Sequence, residues 1–216
     1  AWPWLRATCH LQAARRALSQ GDFAAALRSL ELAAAQQPNR AEVEYLQAVA
    51  NRRAGRLDRS APHLQRASEL GWSQDDIHRQ EWLAAAQVGN VGAVQPQLMG
   101  TIDRGATNDE AEEIYEALAR GYLASYRLRD AWKCLDFWLQ WRPDAPQALI
   151  MRASIYERID DRRAALGDYR AALEQLPDDR ETRVKLAQAL LEQKQFEEAR
   201  DQFRTCLSAD PADAEA

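Results

Sequence analysis

The segment Pro146–Asp179, PQALIMRASIYERIDDRRAALGDYRAALEQLPDD, decides the fold. Alanines, tyrosines and one proline occupy places 8, 11, 20, 24, 27 and 32 of this stretch: Ala153, Tyr156, Ala165, Tyr169, Ala172 and Pro177. When the frame is shifted by one 34-residue unit, Arg180–Asp213 fits the same pattern without a gap. The chain is therefore predicted to consist of copies of one short unit.

This pattern resembles the tetratricopeptide repeat (TPR), a helix–turn–helix unit of 34 residues. Six units fit the sequence, with a three-residue break of register before the fourth: 7–40, 41–74, 75–108, 112–145, 146–179 and 180–213. The resemblance implies an all-α fold, an α-solenoid of six TPR units in a right-handed superhelix. In such folds each helix pair buries its apolar face only by stacking on the next pair.

The third unit departs most from the pattern. Trp82 takes place 8, where a small residue normally lets the two helices approach. The closing proline is absent from the second and third units, and Gly71 is expected to end the second unit with a positive φ. We expect a change of superhelical pitch, or a longer connection, near residues 106–112.

Composition excludes several classes of protein. The net charge of −5 is too mild to indicate a nucleic-acid partner. Residues 1–108 carry twelve basic and ten acidic side chains, whereas residues 109–216 carry sixteen and twenty-three. The three cysteines are odd in number and lack CxxC spacing, which indicates free buried thiols rather than disulfides or a zinc site. No apolar run is long enough to span a membrane.

The two ends of the sequence suggest a longer protein. Residues 1–6, AWPWLR, have tryptophans typical of a membrane interface. They fit either the end of an upstream membrane anchor or a cap on the first repeat, and the overall sequence is similar to membrane-anchored bacterial TPR proteins. Residues 214–216 look like the start of a truncated continuation. Phe203 and Leu207 in the sixth unit are expected to be partly exposed or covered by a second copy.

Catalytic and metal-binding patterns are missing from the sequence. His10, His63 and His78 belong to no HExxH motif, and no Ser/His/Asp arrangement or glycine-rich phosphate loop stands out. Acidic pairs such as Asp160–Asp161 fall at helix starts, where they suit caps better than metal ligation. We therefore expect no enzyme activity, no cofactor and no metal.

The resemblance places function in the concave groove, which the first helix of each unit lines through places 2, 5, 9, 12 and 13. The residues predicted to contact a bound peptide are Leu11, Arg15, Tyr45, Val49, Arg52, Arg53, Arg79, Leu83 and Arg120. Their arginines favour an acidic segment with apolar anchors, unless these arginines pair with acids of their own chain.

The matching places for the chaperone-type carboxylate clamp of the family hold Leu11, Arg15 and Leu46 instead of Lys and Asn, which disfavours a chaperone cofactor. The sequence favours a protein-binding scaffold. The alternatives are a self-assembling structural protein and the non-catalytic part of a larger enzyme.

Overall fold

A computed structural model of the chain describes residues 3–209, and these residues form twelve α-helices and no β-strand. The helices are α1 (Pro3–Ser19), α2 (Phe23–Gln36), α3 (Ala41–Arg53), α4 (Leu57–Glu69), α5 (Gln74–Gln87), α6 (Val91–Asp103), α7 (Asn108–Ala124), α8 (Leu128–Trp141), α9 (Pro146–Arg158), α10 (Arg162–Gln175), α11 (Arg180–Glu192) and α12 (Phe196–Ala209). The predicted all-α fold of helix pairs is confirmed. The predictions for the side chains of 1–5 and for 214–216 lie outside the described residues.

The helices belong to two compact units. Unit 1 comprises Ala1–Ala86 with Gly92–Asp109, and unit 2 comprises Gln87–Val91 with Glu110–Ala216. The handedness of a superhelix and a change of pitch near 106–112 stay predictions.

The three residues that break the register lengthen a helix. Four residues, 104–107, join α6 to α7, the same number that joins α2 to α3 or α10 to α11. Helix α7 has 17 residues, whereas α9 and α11 have 13 each. The predicted longer connection is therefore wrong, because the helical ladder absorbs the insertion at its N-terminal end.

In every helix pair of the described residues, the turn between the two helices contains one residue of positive φ, at place 15 of the repeat. These residues are Gly21, Gly55, Gly89, Tyr126, Asp160 and Lys194, with φ between 56° and 93°. The next residue then donates its backbone N–H back into the helix, as from Arg56 to Asn51 O (2.8 Å) and from Asp161 to Tyr156 O (2.8 Å). This closure satisfies a carbonyl at the helix end. The last three repeats therefore use ordinary side chains where glycine is cheapest.

Second helices end in two different ways. Before a proline, Gln37, Arg142 and Leu176 leave the helical region, with φ between −139° and −125° and ψ between 70° and 77°, since a following proline disfavours that region. Where the proline is missing, Gly71 and Gly105 adopt φ of 84° and 93°. The positive φ predicted for Gly71 is confirmed.

Gly55 and Gly167 should respond in opposite directions to the same substitution. An added Cβ meets nothing within 4 Å at either position, but Gly55 has φ of 76° and Gly167 lies inside α10. We expect Gly55→Ala to destabilise by about 1 kcal/mol through left-handed strain, and Gly167→Ala to stabilise by about 1 kcal/mol through helix propensity. Urea denaturation of both variants checks this, and two shifts of equal sign would contradict the role given to place 15.

Alanines let the paired helices approach closely. Ala14 and Ala26 in unit 1, and Ala153 and Ala165 in unit 2, are fully buried. Trp82, at the equivalent place of the third repeat, keeps a partly exposed ring that stacks near His78 with centroids 6.3 Å apart. The oversized side chain is thus only partly buried, unlike the alanines at the equivalent places.

The second helix of the last repeat leaves apolar atoms uncovered. Phe203 is partly exposed and Leu207 is exposed. This matches the partial exposure predicted from the sequence. Self-association through this face stays a prediction.

Candidate functional site

The first-helix surface of unit 1 comprises the outward places of α1, α3 and α5, where eight of the nine predicted groove residues lie. Three apolar members, Leu11, Val49 and Leu83, are buried. Leu11 and Val49 share one core cluster, because α1 and α3 contact each other directly. These side chains therefore form the supporting layer beneath the surface and present almost no atoms to a ligand.

Arg52 is also interior. Only 1% of it is exposed, and its Nε donates to Gln80 Oε1 at 2.7 Å. A buried cation must be matched by polar partners, since an unmatched charge costs several kcal/mol. Arg52 is thus part of the internal polar structure.

Arg15 and Arg79 pair with acids of their own chain. The exposed Arg15 donates to Glu42 Oε1 at 2.5 Å, and Arg40 reaches the second oxygen of Glu42 at 2.5 Å. Arg79 binds Asp76 at 2.7 Å. These pairs match the alternative stated for the arginines. They reduce the positive potential that the sequence suggests for this surface.

Tyr45 and Arg53 hold neighbouring helices together. The Tyr45 ring stacks on Trp72 with centroids 4.8 Å apart, and its hydroxyl accepts from Gln80 Nε2 at 3.2 Å. Arg53 donates to the carbonyl of Leu18 at 3.0 Å near the C-terminal end of α1. Helix C-termini favour such cations, because their last carbonyls lack intrahelical donors.

Arg120 is the predicted residue that lies in unit 2. It donates through Nε and Nη2 to Glu116 Oε1 at 3.1 and 2.9 Å, and Glu116 is fully buried. The structure therefore gives Arg120 a partner on its own helix.

The first-helix surface of unit 2, formed by α9 and α11, is more open. Leu191 is 42% exposed, Gln188 and Glu192 beside it are exposed, and Ile150 and Val184 are partly exposed. Nearby, Arg158 lies over the exposed ring of Tyr126 at 5.7 Å. The sequence pattern also places α9 and α11 residues in the groove, but its clustered arginines favour unit 1 as the binding surface.

Burial and pairing shift several pKa values in unit 2 without creating a reactive group. Burial raises the pKa of the Cys134 thiol to about 12. Burial also raises the pKa of Tyr169, and the hydrogen bond to Asp168 raises that of Arg152. The hydrogen bond from Lys185 lowers the pKa of Glu181. Each shift favours the form already dominant at neutral pH.

The described part of the chain lacks both a metal-binding cluster and a membrane-spanning helix. Residues 3–209 contain no cluster of three or more His, Cys, Asp or Glu side chains able to hold a metal ion. Within the same range, no helix combines the length and apolar character needed to cross a membrane.

Stacked helix pairs with αL turns and small residues at the helix contacts define a class of helical repeat proteins. The chain belongs to the tetratricopeptide repeat family, since the family described as Tetratricopeptide repeat matches residues 11–75 and 150–214. Proteins of this family generally serve as scaffolds for protein–protein interaction and are typically non-catalytic.

Among curated proteins, the chain is similar to DnaJ homolog subfamily C member 3 of Gallus gallus. The two are 30% identical over 138 residues, which cover 61% of this chain and 27% of that protein. The chain thus spans about a quarter of that relative's length.

Solved structures show the same fold at low sequence identity. The human IFIT1 dimer with PPP-AAAA aligns with a TM-score of 0.62 at 16% identity, covering 87% of this chain and 46% of that one. Cut9 with Hcn1, in the APC/C hetero-tetramer, gives 0.62 at 14%, covering 95% and 40%. Pseudomonas aeruginosa pilF gives 0.56 at 11%, covering 98% and 95%. These likenesses concern the fold alone.

Proposed function

We propose that the protein is an interaction scaffold that binds a peptide segment of a partner protein on its first-helix surfaces. The observation that carries this proposal is the open α9–α11 surface, where Leu191 stands 42% exposed between polar side chains. An apolar anchor with a polar rim is the common anatomy of peptide and protein interfaces.

The surface of unit 1 is the second candidate within this proposal. Arg15, Arg53 and Arg79 lie there with Tyr45, and an acidic segment would have to compete with Glu42 and Asp76 for the guanidiniums. The exposed Arg15 is the easier of these guanidiniums to capture, whereas the Arg79–Asp76 pair is partly buried. Leu11, Val49, Arg52 and Leu83 support this surface from beneath.

Leu191→Arg tests the proposal, with Leu32→Arg as the matched control. Both leucines are exposed (42% and 53%), but Leu32 lies on the second helix α2. Tagged wild-type protein and both variants are used to capture partners, which are quantified by mass spectrometry. We expect at least one partner to fall about tenfold or more with Leu191→Arg and to stay with Leu32→Arg, because a charged side chain cannot replace a buried anchor.

Arg15→Glu extends the test to unit 1. Its guanidinium is exposed, so the substitution spares the core, whereas reversing the buried Arg52 would not. Unchanged capture by both Leu191→Arg and Arg15→Glu, with circular dichroism confirming the fold, would refute peptide binding on the first-helix surfaces.

A further inference from the structure

A polar cleft in unit 1 lies between the second helices α2 and α4, with α3 as its floor. Its volume is about 540 Å³, which is within the range of ligand sites. We call it the α2–α4 cleft. It is distinct from the first-helix surface, since its walls are Arg28 and Glu31 of α2 and Asp58 and Arg59 of α4.

Three arginines with no internal partner meet at this cleft. Arg28, Arg56 and Arg59 line it, and none of their side chains makes a hydrogen bond or ion pair with another residue in the range 3–209. The Nε of Arg56 is buried there and lacks an acceptor within that range. Elsewhere in the same unit, Arg40 and Arg66 each hold a carboxylate at 3.1 Å or less. The cleft therefore gathers guanidiniums that the fold itself does not use.

Buried amides stand on the floor beneath these arginines. Gln47 is 8% exposed, and its side-chain amide hydrogen-bonds to none of the residues that the structure describes. Asn51, one turn further along α3, is 4% exposed and donates to the backbone carbonyl of Gln47 at 2.9 Å. The Gln47 amide therefore has no partner from the fold, and a ligand in the cleft can hydrogen-bond to it.

The other charges of the cleft leave it cationic. Glu31 and Asp58 line its walls without forming an ion pair to the three arginines, and His63 at its edge binds Glu44 at 2.7 Å. Three guanidiniums thus face two carboxylates. Guanidinium forks match the two oxygens of a carboxylate.

We propose that the α2–α4 cleft binds an acidic peptide segment, with a carboxylate of the peptide held by Arg28, Arg56 and Arg59 above the Gln47 amide. A nucleic acid is a poorer candidate than a peptide, because the net charge of −5 does not attract it. The inference goes beyond the proposed function, because the walls of the cleft are second helices and not first helices. It holds even if α9 and α11 bind nothing.

The test is a titration of the ¹⁵N-labelled full chain with a hexaglutamate peptide, followed through arginine Nε–H and side-chain amide resonances. We expect saturable shifts confined to Arg28, Arg56, Arg59 and Gln47. Hexaglutamine should give none at the same ionic strength. The double variant Arg28→Gln/Arg59→Gln should weaken binding about tenfold or more, because each substitution removes a charge-assisted hydrogen bond.

The matched control is Arg16→Gln/Arg129→Gln, which removes two exposed arginines that do not line the cleft. All four residues are exposed, so neither double variant opens the core. Equal weakening by the two double variants, or shifts spread over all exposed arginines, would overturn the proposal. Tighter binding of inorganic phosphate than of hexaglutamate would also overturn the assignment to a peptide.

Discussion

Asp168→Ala is expected to lower the free energy of unfolding by about 3–5 kcal/mol. Arg152 and Asp168 form two parallel hydrogen bonds of 2.8 Å between α9 and α10, and both side chains are largely buried. Removing the carboxylate leaves the largely buried Arg152 guanidinium without an anion. The loss of one partner of a buried ion pair costs about 3–5 kcal/mol. Urea denaturation followed by circular dichroism measures the change.

The control for this prediction is Glu198→Ala. Glu198 binds Arg170 through Nε and Nη2 between α10 and α12, but that pair is about half exposed. Its loss should cost less than about 1 kcal/mol, since water replaces the missing partner. Equal losses in the two variants would show that burial does not decide the strength of these pairs.

Cys134 is expected to react about a thousandfold more slowly with iodoacetamide at pH 8 than an exposed thiol does. Burial raises its pKa to about 12, and the thiol donates a hydrogen bond to the carbonyl of Tyr115. Only the thiolate reacts, and three pKa units correspond to about a thousandfold less thiolate. Cys9 is exposed and provides the internal reference.

The raised pKa of Cys134 also makes the stability of the fold depend on pH. The folded state disfavours the Cys134 thiolate, so the stabilising preference for the neutral thiol is complete below the unfolded pKa of 9.0 and is lost as pH rises towards 12. Peptide mapping of the labelled protein gives both rates. Modification of Cys134 at the rate of Cys9 in folded protein would contradict the burial argument.

The repeat spacing predicts most of the fold, because it depends on local patterns. Gly21, Gly55 and Gly89 mark their turns by residue type, whereas Tyr126 and Lys194 do so only by register. The sequence does not predict whether the inserted residues 109–111 form part of a helix or part of a loop. A helix and a loop both accept Asp, Glu and Ala, and only the packed structure shows that α7 takes them up.

The candidate sites were harder to predict than the fold. Places 5 and 9 are outward in the family pattern, yet Leu11 and Val49 are buried because α1 and α3 approach closely. Pairing partners such as Glu42 for Arg15 are 27 residues away in sequence, so no local pattern reveals them. The α2–α4 cleft is lined by side chains from three helices. It is recognised because its arginine side chains lack acceptors, and the sequence alone does not show which arginines have partners.

The buried core of α9–α12 crosses the boundary between the fifth and sixth sequence repeats. Ala153 and Ala165 belong to the same core cluster as Leu186, Leu190 and Ala199. The two helix pairs therefore share one hydrophobic core. The second helix α10 contacts both α9 and α11. For recombination or engineering, α9–α12 should therefore be moved as one block, because a cut at the sequence boundary between α10 and α11 would divide this cluster.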